Sequence, residues 1–383
     1  MGKKRERTGS KPTRYFDYSL LFIIIFLVCF GLVMLYSTSS YDGQLKFDDS
    51  AYYVKKQLFA TSLGFMAMYL ISRIDYHVWM RFAGVAYIAA LLLCTAVIFV
   101  GQEYNGQKRW LKLGPLSFQP SEFAKIAVIL FLAVLISRMP KQMKKFQTVI
   151  KVLLIVVPIV GVIAYNNLST AIILLGIAVV MSFVASPKYA QFFALGGLGI
   201  AFGSIFIYLE RYRAERIKIW LNPEDYEKGY QTLQGLYAIG SGKLFGKGLG
   251  ESMQKLGFLP EAQNDMIFSI ICEELGLFGA VCVILLFLLM LWRFMVIANN
   301  APDLYGALLV VGIMAHISIQ VILNLCVVLK LMPATGITLP FISYGGTSVL
   351  FILTEIGIAL CVSRFIVFQD GKSGEGEAQA EEQ

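Results

Sequence analysis

The chain has 383 residues, 57% of them hydrophobic and only 15% charged, with a mean hydropathy of +0.68. That excludes a water-soluble globular domain, because many stretches approach the ~20 apolar residues that cross a hydrocarbon core. The net charge of +8 raises nucleic acid as a partner, but the cations cluster beside the apolar runs as membrane topology requires, so no nucleic-acid role is expected.

In chain order, residues 1–16 form a basic tail with Lys3, Lys4, Arg5, Arg7, Lys11 and Arg14. About ten spans follow, at 17–37, 57–72, 82–101, 122–137, 149–165, 169–186, 189–209, 266–292, 304–328 and 344–368. The runs are continuous rather than alternating, so they predict helices and not a β-barrel. Arg73 and Arg81, then Arg138, Lys141, Lys144 and Lys145, fall on the same side as the N-terminal cations. The positive-inside rule then makes the N-terminus cytoplasmic, and ten spans return the C-terminus to that side. The first span is too long for a signal-peptide core and is read as a retained helix. Residues 369–383 form a polar, acidic tail expected to be disordered. The expectation is an all-α polytopic membrane protein, one domain over 17–368, with a long external loop at 210–265 between the seventh and eighth helices.

Six cysteines all fall inside apolar spans and read as small packing residues, while the two histidines, His77 and His316, lie far apart. Neither pattern has metal-ligand spacing, so no protein metal centre is expected.

Three external loops carry the chemistry. Residues 102–121 hold Arg109 beside Trp110, a guanidinium and an interfacial indole suited to a phosphate at headgroup level. They lead into Ser121, a candidate helix cap, and into Glu122 and Lys125. Lys125 lies one turn inside the membrane and must pair either with Glu122 or with an anionic ligand. The 210–265 loop carries eight basic residues, Arg216 among them. Its glycine-rich part at 235–250 suits a segment supported by protein, and it lacks a nucleotide-binding fingerprint. Residues 330–347 are apolar yet broken by Pro333, Gly336, Pro340, Gly345 and Gly346. Such backbone at membrane depth is tolerated only where protein or a cavity surrounds it. Ser343 and Thr347 are then candidates to line a polar pocket, with a plain helix–helix turn as the alternative.

Asp265 follows Leu259-Pro260-Glu261-Ala262-Gln263-Asn264 and begins a membrane helix. It either caps that helix or serves as an accessible carboxylate in reduced dielectric. Asp265, Ser269 and Glu273 share one helical stripe. Glu273 and Glu274 are either functional or a buried hydrogen-bonded pair. Gln320 and Asn324, four residues apart, read as interhelical hydrogen-bond glue.

These segments together resemble the SEDS family (shape, elongation, division and sporulation), the FtsW and RodA type. The motifs are Asn105-Gly106-Gln107-Lys108-Arg109-Trp110, Phe118-Gln119-Pro120-Ser121-Glu122-Phe123-Ala124-Lys125, Gly229-Tyr230-Gln231, Ala238-Ile239-Gly240-Ser241-Gly242, Gly248-Leu249-Gly250, Leu259-Pro260-Glu261-Ala262, Glu273-Glu274-Leu275-Gly276 and Pro340-Phe341-Ile342-Ser343-Tyr344-Gly345-Gly346. The opening Phe16-Asp17-Tyr18-Ser19-Leu20-Leu21 looks more like the FtsW branch and its sporulation relative. The resemblance implies a peptidoglycan glycosyltransferase that polymerises lipid II at the outer face of the cytoplasmic membrane, at the division septum. It makes Asp265 the catalytic carboxylate and Arg109, Trp110, Glu122, Lys125, Arg216, Glu261, Ser343 and Thr347 candidates for substrate binding. Gln263-Asn264 stand where a His-Thr pair is commoner, and Asn166-Asn167 where many relatives have Pro-Asp. The implied partners are lipid II with its growing lipid-linked glycan, a class B penicillin-binding protein and other divisome membrane proteins. A divalent cation, magnesium or manganese, is compatible with this chemistry. The competing readings are a lipid II flippase, an elongation- or sporulation-type member, and a scaffold for the transpeptidase.

Overall fold

A computed structural model describes residues 15–104, 107–113, 116–197, 199 and 211–367. Residues 1–14 of the predicted N-terminal tail, the predicted C-terminal tail at 369–383 with residue 368 before it, residues 198 and 200–209 of the predicted seventh span and residue 210 of the predicted loop lie outside the described residues. The helices are α1 (Tyr18–Phe47), α2 (Tyr52–Arg73), α3 (Val78–Val100), α4 (Pro120–Arg138), α5 (Phe146–Asn166), α6 (Leu168–Ala185), α7 over 190–197, α8 (Arg211–Leu221), α9 (Tyr230–Gly242), α10 (Ile267–Asn300), α11 (Leu304–Val328) and α12 (Gly346–Arg364). The apolar runs become helices because a backbone in hydrocarbon must satisfy its hydrogen bonds within its own segment.

Among the described residues, eight helices are long and apolar enough to cross a membrane: α1, α3, α4, α5, α6, α10, α11 and α12. The predicted second span lies in α2, which carries Lys55, Lys56 and Arg73 towards its ends and is not among the eight. It nevertheless runs the length of α12. At one end Gln57 donates to Ser343 O and accepts from Gly345 N–H, and at the other Arg364 donates to Ser72 O at 2.7 Å. The start of α1 meets the end of α12, since Tyr15 N–H bonds Ile366 O at 3.2 Å and Asp17 N–H bonds Ser363 Oγ at 3.3 Å, while the Asp17 carboxylate pairs with Arg293 on α10 at 2.7 Å. Both described chain ends therefore sit at one end of the bundle, as an even number of crossings demands. The buried centre is formed chiefly by α4, α11 and α12.

Four local expectations need correction. The first helix continues to Phe47 rather than stopping at 37. A three-stranded antiparallel sheet, β1 (Gln102–Tyr104), β2 (Gln107–Leu113) and β3 (Leu116–Phe118), joins α3 to α4. Ser121 does not cap α4, whose N-cap is Gln119 followed by Pro120 at the first helical position; proline suits that position because its missing N–H would be unpaired there anyway. Of the six cysteines, Cys94, Cys272 and Cys361 are buried as packing residues, Cys282 and Cys326 are half-buried and Cys29 is exposed.

The glycine-rich segment earns its place at α10. Gly276 breaks that helix with a φ of 68°, which frees backbone groups inside an apolar layer. Lys247 and Gly248 N–H groups bond Glu273 and Glu274 carbonyls at 2.9 and 3.0 Å, while Leu277 and Phe278 N–H groups bond Lys243 and Leu244 carbonyls at 2.9 and 3.0 Å. The segment after α9 thus supplies the partners the kink lost, as buried irregular backbone requires. Gly246, at φ 79°, comes so close that a Cβ there would lie 2.1 Å from Glu274 O.

Candidate active site

Asp265 sits in the turn between α9 and α10, buried with 8% of its surface exposed. It does not cap α10: the N-cap is Met266, and the Asp265 carboxylate instead accepts from Gln231 Nε2 on α9 at 3.3 Å. The turn is held from two sides and closed by a bond of its own. Asn324 Nδ2 on α11 donates to Asp265 O at 2.8 Å, Tyr344 N–H donates to Gln263 O at 2.9 Å, and Asn264 N–H donates to Glu261 O at 2.9 Å. Glu261 adopts a positive φ of 54°, a conformation a non-glycine residue holds only when its surroundings fix it; its carboxylate also accepts from the Asn264 side chain.

Burial, and then the negative charge of Glu261, push the Asp265 carboxyl from its ordinary 3.8 up to about 7, against the smaller opposing effect of the Gln231 bond. Among the described residues no cation lies within ion-pair distance of it. A carboxylate with that affinity for protons is matched to general-base work near neutral pH.

A cavity of about 390 Å³ adjoins the turn, lined by Arg216, Trp220 and Lys228 along with Tyr230, Gln231 and Pro260. Gln231 is thus wall to the cavity and hydrogen-bond donor to Asp265. Arg216 on α8 is exposed and donates to Ala334 O at 3.1 Å, bracing the broken 330–345 segment. The other candidates lie elsewhere. Arg109, on β2 with half-buried Trp110, donates to Asn166 O at 3.3 Å at the end of α5. Lys125, 2% exposed, pairs with Glu122 at 2.9 Å and donates to Gln320 Oε1 at 3.4 Å. Ser343 is buried, and its hydroxyl accepts the Leu339 N–H at 2.8 Å, closing a turn of the broken segment. Thr347 is half-buried in the first turn of α12.

The two glutamates further along α10 serve the fold. Glu273, fully buried, takes Lys247 at 2.6 Å together with Ser241, Ser252 and the Met253 and Gln254 N–H groups. Glu274, also fully buried, takes Lys255 at 2.8 Å and Ser37. Two of the loop cations are therefore spent on architecture. Sequence reasoning gave no role to Gln231, and it missed the partnership of His316 with Glu355, at 2.7 Å inside the bundle. The signal available for the latter was the four-residue repeat His316, Gln320, Asn324.

A polytopic helical bundle with a buried carboxyl of raised proton affinity beside a cavity at one end of its spans is the class of protein these features define. The chain belongs to the FtsW, RodA and SpoVE family, described as cell cycle proteins, which matches it over residues 18–366. It is 41% identical over 362 residues to the stage V sporulation protein E of Bacillus subtilis (strain 168), covering 91% of this chain and 97% of that one. It is 35% identical over 354 residues to a Geobacter sp. (strain M18) protein named "Probable peptidoglycan glycosyltransferase FtsW", covering 91% and 96%. Among solved structures it is similar to a chain of a peptidoglycan synthase complex that coordinates polymerization and crosslinking, with a TM-score of 0.77, 29% identity and coverage of 91% and 98%. It is also similar to the rod shape determining protein RodA of Thermus thermophilus, with a TM-score of 0.67, 28% identity and coverage of 93% and 98%.

Proposed function

We propose that this protein is a peptidoglycan glycosyltransferase that polymerises lipid II at the outer face of the cytoplasmic membrane, with Asp265 as general base. The observation that carries the reading is a buried carboxyl raised to about 7 beside an accessible cavity. The acceptor's 4-hydroxyl gives its proton to Asp265 as its oxygen attacks the donor's anomeric carbon. The bond from that carbon to the lipid pyrophosphate breaks, and the pyrophosphate leaves with the electron pair. Attack from the face opposite the leaving group turns an α-linked donor into a β-1,4 linkage.

Arg216 on the cavity wall, and Arg109 beside Trp110, are suited to the pyrophosphate charge because a guanidinium binds phosphate oxygens through paired N–H groups. Lys125 reaches that task only by sharing its charge with Glu122. Among the described residues no three His, Cys, Asp or Glu side chains converge as metal ligands, so a magnesium or manganese ion would be held largely by the pyrophosphate itself. Cytoplasmic tails, an external 210–265 region and a class B penicillin-binding protein partner complete the reading. The positive-inside pattern, the even number of crossings and the synthase-complex neighbour support these. The FtsW relatives support a place in septal synthesis during division, and the sporulation relative supports the corresponding sporulation role.

The test is glycan polymerisation from purified lipid II with the cognate transpeptidase. Asp265→Asn keeps size and polarity but cannot accept the proton, and is expected to lose 10²–10⁴-fold or more, on the order expected for a general base. Glu224→Gln, at an exposed carboxylate outside the Asp265 turn, serves as the control. Polymer formation near the wild-type rate by Asp265→Asn would overturn the mechanism, and lipid II translocation without polymer by the wild type would favour a flippase.

A further inference from the structure

The polar residues of α11 form a ladder at four-residue spacing: His316, Gln320 and Asn324, all buried. Residues so spaced stack on one helical stripe. This stripe starts near the middle of α11 and ends at the Asp265 turn. The hydrogens along it can be assigned without ambiguity. Gln320 Nε2 lies 3.1 Å from Thr338 O, and a carbonyl only accepts, so the amide nitrogen must face it. The Gln320 oxygen then faces His316 Nε2 at 3.0 Å and Lys125 Nζ at 3.4 Å. His316 Nε2 must therefore carry a hydrogen. Its Nδ1 lies 2.7 Å from Glu355 Oε2 on α12, so that carboxylate holds the ring from its other side.

Asn324 follows the same logic. Its Nδ2 donates to Asp265 O at 2.8 Å and to Ile337 O at 2.7 Å, both carbonyls. The amide cannot flip without facing two acceptors with a third. Its Oδ1 is buried with no hydrogen-bond partner among the described residues. A buried amide oxygen left unpaired opposes folding, so what this side chain contributes is the pair of N–H bonds. Those bonds tie two irregular segments, the Asp265 turn and the broken 330–345 segment, to one point on α11, beside the direct bond from Tyr344 N–H to Gln263 O. Gln320 repeats the tie one turn deeper, through Thr338, and His316 with Glu355 anchors Gln320.

We propose that Asn324 is a positioning residue for Asp265, and that Gln320, anchored by His316 and Glu355, sets the register of the broken segment on which that positioning depends. Asn324 touches no reacting atom. It fixes where the Asp265 carboxylate stands relative to the cavity, and small displacements of a catalytic group lower the rate steeply. The inference rests on the reading of Asp265 as base, but it makes a structural claim of its own.

The experiment pairs two readouts on full-length protein with its transpeptidase: kcat and KM for lipid II polymerisation, and hydrogen–deuterium exchange of the 259–266 and 334–340 backbone. Asn324→Leu removes both bonds and the unpaired oxygen, and Asn324→Ser keeps one short donor. Asn324→Leu is expected to lower kcat about 10-fold or more with KM within about 3-fold, and to speed exchange in both segments. Asn324→Ser is expected to fall between, and decides the matter if the leucine variant does not fold. Gln320→Leu should speed exchange at 334–340 more than at 259–266. Wild-type kcat with wild-type exchange in a folded Asn324 variant would overturn the proposal, as would equal loosening over the whole bundle, which marks a general packing role. If Asp265→Asn polymerises normally, the base assignment fails, while the exchange data still decide whether Asn324 holds the turn.

Discussion

The turn before α10 and the kink within it carry carboxylates about two helical turns apart, and the protein treats them in opposite ways. At the kink, Glu273 and Glu274 each have a lysine and at least one hydroxyl. At the turn, Asp265 has one neutral amide and a second carboxylate nearby. Burying a charge is costly unless it is paired and hydrogen-bonded, so the first pair is the arrangement of architecture. Asp265 keeps its cost and shows it as affinity for a proton. All three carboxylates are buried; what sets Asp265 apart is the charge that its surroundings leave unneutralised.

The largest effects should come from the kink. Gly246→Ala places a methyl group against the Glu274 carbonyl in a backbone conformation that alanine resists. It should cost about 4 kcal/mol or more, read as loss of monodisperse protein on size-exclusion chromatography. Glu274→Gln leaves the Lys255 ammonium buried without its counter-charge and should cost about 3–5 kcal/mol, seen as a lowered Tm. A Glu274→Gln protein with wild-type Tm would remove the distinction drawn between the two regions.

Asp265→Asn should have the opposite sign. The folded Asp265 titrates near 7 and the unfolded near its ordinary 3.8, so between those values the folded state binds the extra proton. The stability that proton confers is present at low pH and is lost as pH rises towards 7. Asn carries no such penalty, so Asp265→Asn should match wild type near pH 4 and exceed it at pH 8, by at most on the order of 4 kcal/mol. Equal Tm values at pH 8 would argue that Asp265 is not held in a costly environment.

The membrane class and nearly every span were legible in the apolar runs, because hydrocarbon admits few alternatives to a helix. Helix ends were less so: α1 runs on to Phe47 through Ser, Asp and Gln residues that carry no apolar signal. The Asp265 turn was legible as a place, from its motif and its position at the start of a span. Its geometry was not. That Gln231, some thirty residues earlier, donates to Asp265, and that Asn324 and Tyr344 clamp the same turn, are long-range pairings that no local pattern encodes. The choice left open for Lys125 also needed the structure, which shows the Glu122 pair.

A smaller effect separates the two causes acting on Asp265. Glu261→Gln removes the neighbouring negative charge and leaves the burial, so the pH at which polymerisation is half-maximal should move down, by less than burial itself contributes. An upward move, or none, would mean that Glu261 does not act on Asp265 through its charge.

The measurement that bears most directly on the central claim is the pH dependence of kcat/KM for lipid II polymerisation by the wild-type protein with its transpeptidase, because kcat/KM follows the titration of the free enzyme. A base must be unprotonated to act, so kcat/KM should rise with pH and reach half its plateau near 7, where Asp265 titrates. A kcat/KM that stays flat from pH 5 to 8, or that falls across that range, would contradict the assignment of Asp265 as the base.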